Sequence, residues 1–524
     1  MSTPKKTIED VRIPLRDGVE LAAELHRPRV TSRGLLLVRT PYGRGRMFAR
    51  MVVDPYVAHA YSVLFVSCRG TADSGGEFDP MRTETPDGHD TIAWMRAQPW
   101  YPGRFATVGG SYLGHTQWAV LADPPVDLVT SIISVGPHDF ARHAWGRGTF
   151  NLDFIGWSDM VLSMGRGSAL SAIVRLAGAR RRLAPVLRAT PIADAAVAHF
   201  GQRAPWMRDR LTRDDLSDPY WTPMRHDDAL DTVTTPVLLI TGWQDIFAEQ
   251  SFEQYRRLHA RGVTVGLTGG PWTHTEVGRA GGDAVMQRSL AWLDRHFAGE
   301  ATPADATIRY GASGSKRRAV EWHESAVWPP EHRDHTLELA PGGRLVIGDV
   351  ADAGAADRVD EFTYDPEDPT PTVGGPLIEG GGRLRDDALT KRSDVLAYTS
   401  DPLAADLLVV GVPQVTLGHR SRHPDADVLV RVSDVDGRGR SRNVTEQYTR
   451  LQGERDTPLV FDLRPVAHRF AAGHRIRLLL AGGSFPQFPR STGTGENPVT
   501  ATRRIPNQHT VALDESKLVL PVLD

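Results

Sequence analysis

Apolar and polar positions follow two alternating rhythms over the first part of the chain. Residues 11–14 and 19–26 are β-like runs that flank Asp17-Gly18, a hairpin signal. Residues 34–40 and 63–67 are short apolar runs and predict strands. Residues 87–98 carry helical spacing, with Ile92, Trp94 and Met95 on the inner side. Residues 105–109 predict a strand, 112–121 a helix and 128–135 a further strand. This strand-then-helix alternation predicts a mostly parallel sheet covered by helices.

Residues 141–226 break the rhythm. Strand runs vanish, Arg, Ala, Leu and Asp accumulate, and Trp157, Met160, Val161 and Met164 recur at helical spacing. The stretch reads as a helical insertion. The β/α rhythm then resumes with a strand at 237–241, a helix at 249–259, a strand at 263–268 and a helix at 285–297. Beyond residue 324 helical periodicity fades and turn residues multiply. Short alternating runs at 336–339, 407–412, 428–432, 459–463 and 476–480 predict an all-β sandwich, taken here as a jelly roll. The expected organisation is an α/β-hydrolase domain in two pieces, 1–140 and 231–324, a helical cap at 141–230, and a C-terminal β-sandwich at 325–524.

Composition narrows the function classes. The 524 residues are 40% hydrophobic and 24% charged, the balance of a folded protein. The net charge is -3, from 61 basic and 64 acidic residues, so no overall field favours nucleic acid or an anionic membrane. The cluster Arg180, Arg181, Arg182 sits among apolar residues at helical spacing and reads as a solvated helix face. Cys68 is the one cysteine, so no internal disulfide forms. The first residues lack an apolar leader, and no apolar run approaches the ~20 residues that span a bilayer. The expected location is cytoplasmic. Asn443-Val444-Thr445 matches a glycosylation acceptor by chance on this reading. His332 and His335, near Asp334, read as solvated surface, and the acidic run at Asp434 and Asp436 as a hairpin turn. No metal or cofactor is called for.

The chemistry concentrates in residues 105–114, Phe-Ala-Thr-Val-Gly-Gly-Ser-Tyr-Leu-Gly. A strand runs into Ser111 and a helix leaves it at once. Such a turn holds a serine hydroxyl out at the sheet's carboxyl edge. The second glycine, Gly114, falls one residue later than in the usual elbow pattern. A serine hydroxyl needs a base within hydrogen-bond reach, and the base needs an orienting acid. Asp245 and His274 each follow a strand, in the chain order Ser, Asp, His. Glu249 is the rival acid, but it lies one turn inside the following helix. For the oxyanion, the backbone N–H of Tyr112 is the first donor. Tyr42, in Thr40-Pro41-Tyr42-Gly43 after a strand, is either a second donor or a packing residue.

These residues together resemble the cocaine esterase and X-prolyl dipeptidyl aminopeptidase family of serine hydrolases. The motifs are Arg39-Thr40-Pro41-Tyr42, Arg69-Gly70 with Ser74 and Gly76-Glu77-Phe78, Gly109 to Gly114, Gly242-Trp243-Gln244-Asp245 with Phe247, and Gly270-Pro271-Trp272-Thr273-His274. Ser393 to Leu396, Gly473-His474-Arg475 and Ser484-Phe485-Pro486 extend the likeness over most of the chain. The resemblance implies the hydrolase body, helical cap and jelly roll, and makes the spacing to Gly114 the family's own elbow. It implies Ser111 as nucleophile, Asp245 and His274 as its partners, and Tyr42 as an oxyanion donor beside the N–H of Tyr112. Trp157 and Phe247 match aromatic pocket walls, and Trp145 is a further candidate; packing in the cap core is the alternative. For the amino-acid ester hydrolases of the family, the resemblance implies an acid just after Ser-Tyr, where this chain has Leu113, with His115 beyond. The first reading is therefore an esterase acting on a small molecule. An amidase or peptidase of X-prolyl or amino-acid-ester type is the second, and an inert ligand-binding protein the third. Nucleic acid and membrane are not expected partners, and a homodimer is left open.

Overall fold

A computed structural model describes residues 6–164, 178, 181–300, 307–314, 320–348, 358–453 and 458–523. Its first sheet has ten described strands: β1 (Lys6–Pro14), β2 (Glu20–Pro28), β3 (Leu35–Thr40), β4 (Ser62–Ser67), β5 (Phe105–Gly110), β6 (Leu128–Ser134), β7 (Val237–Gln244), β8 (Val265–Thr273), β9 (Ile308–Ala312) and β10 (Glu321–Ser325). They lie in the order β1-β2-β4-β3-β5-β6-β7-β8-β9-β10. Pairings from β4 through β9 are parallel, and the flanking ones antiparallel. Helices Glu84–Arg96, Tyr112–Leu121, Ala248–Ala260 and Gly282–Ala298 cover the faces. Burial on both faces explains the continuous apolar runs. Leu36 and Val38 pack into one hydrophobic cluster and Leu35 and Leu37 into the other, as the two-residue period of a strand requires.

The structure is an α/β-hydrolase body with a helical insertion and a β-rich C-terminal part. Between β6 and β7 the described residues hold helices and no strand, among them Phe140–Trp145, Asp153–Ser163 and Ile192–Phe200. Arg181 and Arg182 are exposed there, while Arg180 lies outside the described residues. Twelve described strands form the C-terminal sheet system. Its last strand, Asn507–Leu523, pairs with four others: Arg333–Ala340, Val359–Tyr364, Leu407–Gly411 and Gln414–Ser421. Asn443 is buried inside the strand Ser441–Leu451, which leaves no room for a glycan. Asp436 accepts the backbone N–H groups of Arg438 and Arg440 and so closes a hairpin turn. No helix among the described residues is long and apolar enough to cross a membrane.

Candidate active site

Ser111 sits between β5 and the helix Tyr112–Leu121 with φ 61° and ψ -123°. For a non-glycine residue such a conformation costs about 1–3 kcal/mol and persists only where the surroundings impose it. Here they do. The Ser111 N–H donates to the Ser134 carbonyl at 2.9 Å, and its own carbonyl accepts from Gly114 and His115. Gly114 lies against Gly136: a Cβ on Gly114 would stand 2.6 Å from the Gly136 Cα. That contact, between the helix and the segment after β6, is why the second glycine falls at 114.

The three sequence-picked side chains meet. His274 Nε2 lies 2.8 Å from Ser111 Oγ, and His274 Nδ1 lies 2.6 Å from Asp245 Oδ1. Asp245 is fully buried, and its other oxygen accepts the Thr241 hydroxyl at 3.0 Å. All three groups come from the carboxyl ends of parallel strands, where loops of such sheets converge. Glu249 turns elsewhere. It pairs with Arg147 and Arg464 and accepts from Gln447. Burial pushes its pKa up, but the two arginines outweigh that and bring it down to about 2.

Tyr42 follows β3, its turn fixed by the Tyr42 N–H donating to Thr40 Oγ1 at 3.1 Å. Its phenol oxygen accepts the Trp157 indole N–H at 3.1 Å, and the ring lies close enough to Ser111 to feel it electrostatically. Burial raises the phenol's pKa, so it stays a proton donor. Tyr112 is the first residue of its helix, so its N–H has no intrahelical acceptor. The Tyr112 side chain points away from the serine, donating to Glu84 at 2.7 Å and accepting the Met81 N–H at 2.8 Å. Arg39 holds Glu84 in turn at 2.5 Å.

Of the pocket candidates, two are brought to the site. Trp157 stacks on Tyr112 at 5.9 Å, and Phe247 packs edge-on against His274 at 5.5 Å. Trp145 is not. Its ring packs on Phe150 and its N–H donates to the Arg210 carbonyl, so it belongs to the packing beneath the cap helices.

The sequence reading missed two groups. Asp153 opens the helix that carries Trp157, one turn earlier on the same face. Burial raises its carboxyl to about 7; the Ile378 N–H lowers it, Glu379 raises it, and His274 lowers it. Arg464, from the C-terminal part, donates to the backbone of the Asp245 loop. The first had a signal in its helical spacing from Trp157, whereas the second had none in linear sequence. His138, Asp227 and Glu253 also gather within 4.8 Å. Arg142 approaches both His138 and Glu253, and Arg225 and Arg257 pair with Asp227, so guanidinium charges occupy that cluster.

Residues 17–276 match the model of the X-Pro dipeptidyl-peptidase (S15) family, and 298–518 that of the X-Pro dipeptidyl-peptidase C-terminal non-catalytic domain. The chain is 27% identical to cocaine esterase of Rhodococcus sp. (strain MB1 Bresler), over 98% of both chains. Among solved structures it is similar to an aminopeptidase from the marine sediment archaeon Thaumarchaeota archaeon. The TM-score is 0.83 at 22% identity, covering 100% of this chain and 97% of the other. An α-amino acid ester hydrolase superposes with a TM-score of 0.82 at 20% identity, over 100% and 97% of the two chains. These two structures share the fold.

Proposed function

The chain belongs to the cocaine esterase and X-prolyl dipeptidyl aminopeptidase family of serine hydrolases, and on that premise we propose that it cleaves small carboxylic esters through an acyl-enzyme on Ser111. The observation that carries this reading is the unbroken hydrogen-bond path from Ser111 Oγ through His274 to Asp245. His274 Nε2 takes the serine proton as Oγ attacks the ester carbonyl. The negative oxygen of the tetrahedral intermediate is met by the Tyr112 N–H and the Tyr42 phenol. Collapse expels the alcohol, which leaves with the proton from His274. Water then attacks the acyl-enzyme by the same route, and Asp245 keeps the imidazole oriented throughout. Trp157 and Phe247 wall the acyl side. The β-rich C-terminal part is read as a jelly roll, and the lone buried thiol of Cys68 fits a reducing cytoplasm.

A second reading, cleavage next to a free substrate ammonium as an X-prolyl dipeptidyl peptidase requires, is favoured by Asp153 and Glu379. The Asp153 carboxyl, raised to about 7 mainly by burial, feels both Glu379 and His274, and so becomes anionic within reach of the imidazole as the pH rises through that value. Kinetics with p-nitrophenyl esters against prolyl anilides separates the readings. Labelling by a fluorophosphonate probe tests the mechanism that both share. Wild type should label and turn over, and Ser111→Ala should do neither, with turnover down at least a thousandfold or so. Ester turnover that survives in Ser111→Ala would end the assignment.

A further inference from the structure

Arg464 lies 219 residues along the chain from Asp245, in the part matching a domain described as non-catalytic. Its side chain is only 10% exposed. Nη2 donates to the carbonyl of Asp245 at 2.7 Å and of Ile246 at 3.1 Å, and Nη1 donates to Glu249 at 2.9 Å. Glu249 stands in the first turn of the helix Ala248–Ala260, and the cap's Arg147 grips it from the other side. The loop bearing the acid is thus fixed at its backbone and at the helix that follows it. A guanidinium presents its donors in one rigid plane, so it sets two carbonyls and a carboxylate in a single geometry.

The contact between Asp245 and His274 is short, at 2.6 Å, and the serine contact depends on the same imidazole. A shift of the Asp245 backbone therefore reaches the nucleophile through two hydrogen bonds. We propose that Arg464 is a positioning residue for ester cleavage, so that the C-terminal part completes the catalytic machinery; this rests on the esterase reading above. The competing account is simple docking. Arg469 provides the contrast. It pairs with Glu321 at 3.0 Å across the same junction, but on β10, which β8 and β9 separate from β7 and its acid.

The test uses the full chain as wild type, Arg464→Ala, Arg464→Lys and Arg469→Ala, measuring kcat and KM on a p-nitrophenyl ester together with thermal melting. Arg464→Ala should lose about ten- to a hundredfold in kcat with KM within roughly twofold, as expected for a misplaced catalytic group. Arg464 lines a cavity of about 260 Å³, which gives small solutes a route to the vacated space. Millimolar methylguanidinium should therefore restore part of the Arg464→Ala rate. Arg464→Lys keeps the charge but not the fork, and should fall between the two. Arg469→Ala should melt earlier while keeping kcat. A wild-type kcat in Arg464→Ala overturns the proposal, as does a loss that only follows melting and ignores methylguanidinium. If Arg464→Ala does not fold, Arg464→Lys decides, and full activity there overturns it. A wild-type protein that neither labels nor turns over esters fails the esterase reading itself, which is a separate result.

Discussion

The phenol of Tyr42 is placed by its neighbours as much as by its own strand. Trp157 donates to the phenol oxygen at 3.1 Å, which turns the phenolic proton away from the indole and leaves it available to a substrate oxygen. Phe48 fixes the ring from one side, with ring centres 5.5 Å apart. A donor held in this way strengthens as charge develops on the substrate oxygen and does little in the ground state. Tyr42→Phe should therefore lower kcat about a hundredfold and leave KM nearly unchanged. Steady-state kinetics on one ester checks it, and an unchanged kcat would make Tyr42 a packing residue. Asp153 makes a different prediction. Burial raises its pKa to about 7, so its carboxylate forms only as the pH rises through that value. The ratio of kcat/KM for an amine-bearing ester over a neutral one should rise across the same range, while the titration of the shared triad cancels in the ratio. Asp153→Asn should flatten that rise. A pH-independent ratio in the wild type would remove Asp153 from substrate recognition.

The strand β5, its serine turn and the helix Tyr112–Leu121 work as one element. Ser111 holds its backbone angles because the helix presses on the segment after β6, with Gly114 against Gly136 and Ile133. Gly114→Ala would put a methyl 2.6 Å from the Gly136 Cα and 3.1 Å from Ile133. The helix must then lift, at a cost of about 1–3 kcal/mol for overpacking. Thermal melting should drop, and kcat should drop with it, because the Tyr112 N–H opens that helix. Retained activity at a lower melting temperature would mean that the turn is set by the strand alone. The sequence disclosed this element readily, since a parallel strand buried on both faces writes a continuous apolar run. It disclosed others less well. The strands β7 and β8 reach Gln244 and Thr273, past glycines that read as stops, because Gly242 pairs with Gly270 inside the ladder. The long strand Asn507–Leu523 hid because its alternation changes phase at Asp514-Glu515, both exposed, where its partner strand also shifts register. Ser111, Asp245 and His274 were legible through their loops after strands. Arg464 was not, since its meaning exists only once two distant parts of the chain are packed together.

The parts of the molecule share one site and are tied across it. The Leu152 N–H in the cap donates to the Gln487 carbonyl at 2.9 Å, and Ala193 donates to Val499 at 2.9 Å. Gln244, next to the acid, donates to the Val444 carbonyl at 2.7 Å. Parts joined in this way should unfold together, and their buried histidines offer a way to see it. Burial lowers His115 to about 4 and His226 well below its ordinary value on the hydrolase side. It lowers His468 to about 4 and His509 to about 3 in the C-terminal part. Each is neutral in the folded chain at a pH where the unfolded chain, with an ordinary value near 6.5, already binds a proton. Stability from these groups is therefore full above about pH 6.5 and falls as the pH drops toward the folded values. Each group contributes up to about 1.4 kcal/mol per pH unit over that window. Urea melts followed by tryptophan fluorescence and by circular dichroism should show one transition that moves to lower urea between pH 7 and 5, in step by both probes. Two transitions with different pH slopes would mean that the C-terminal part unfolds on its own. The Arg464 contact to the acid loop would then be broken before the hydrolase sheet is lost, and activity would fall with the first transition rather than the second.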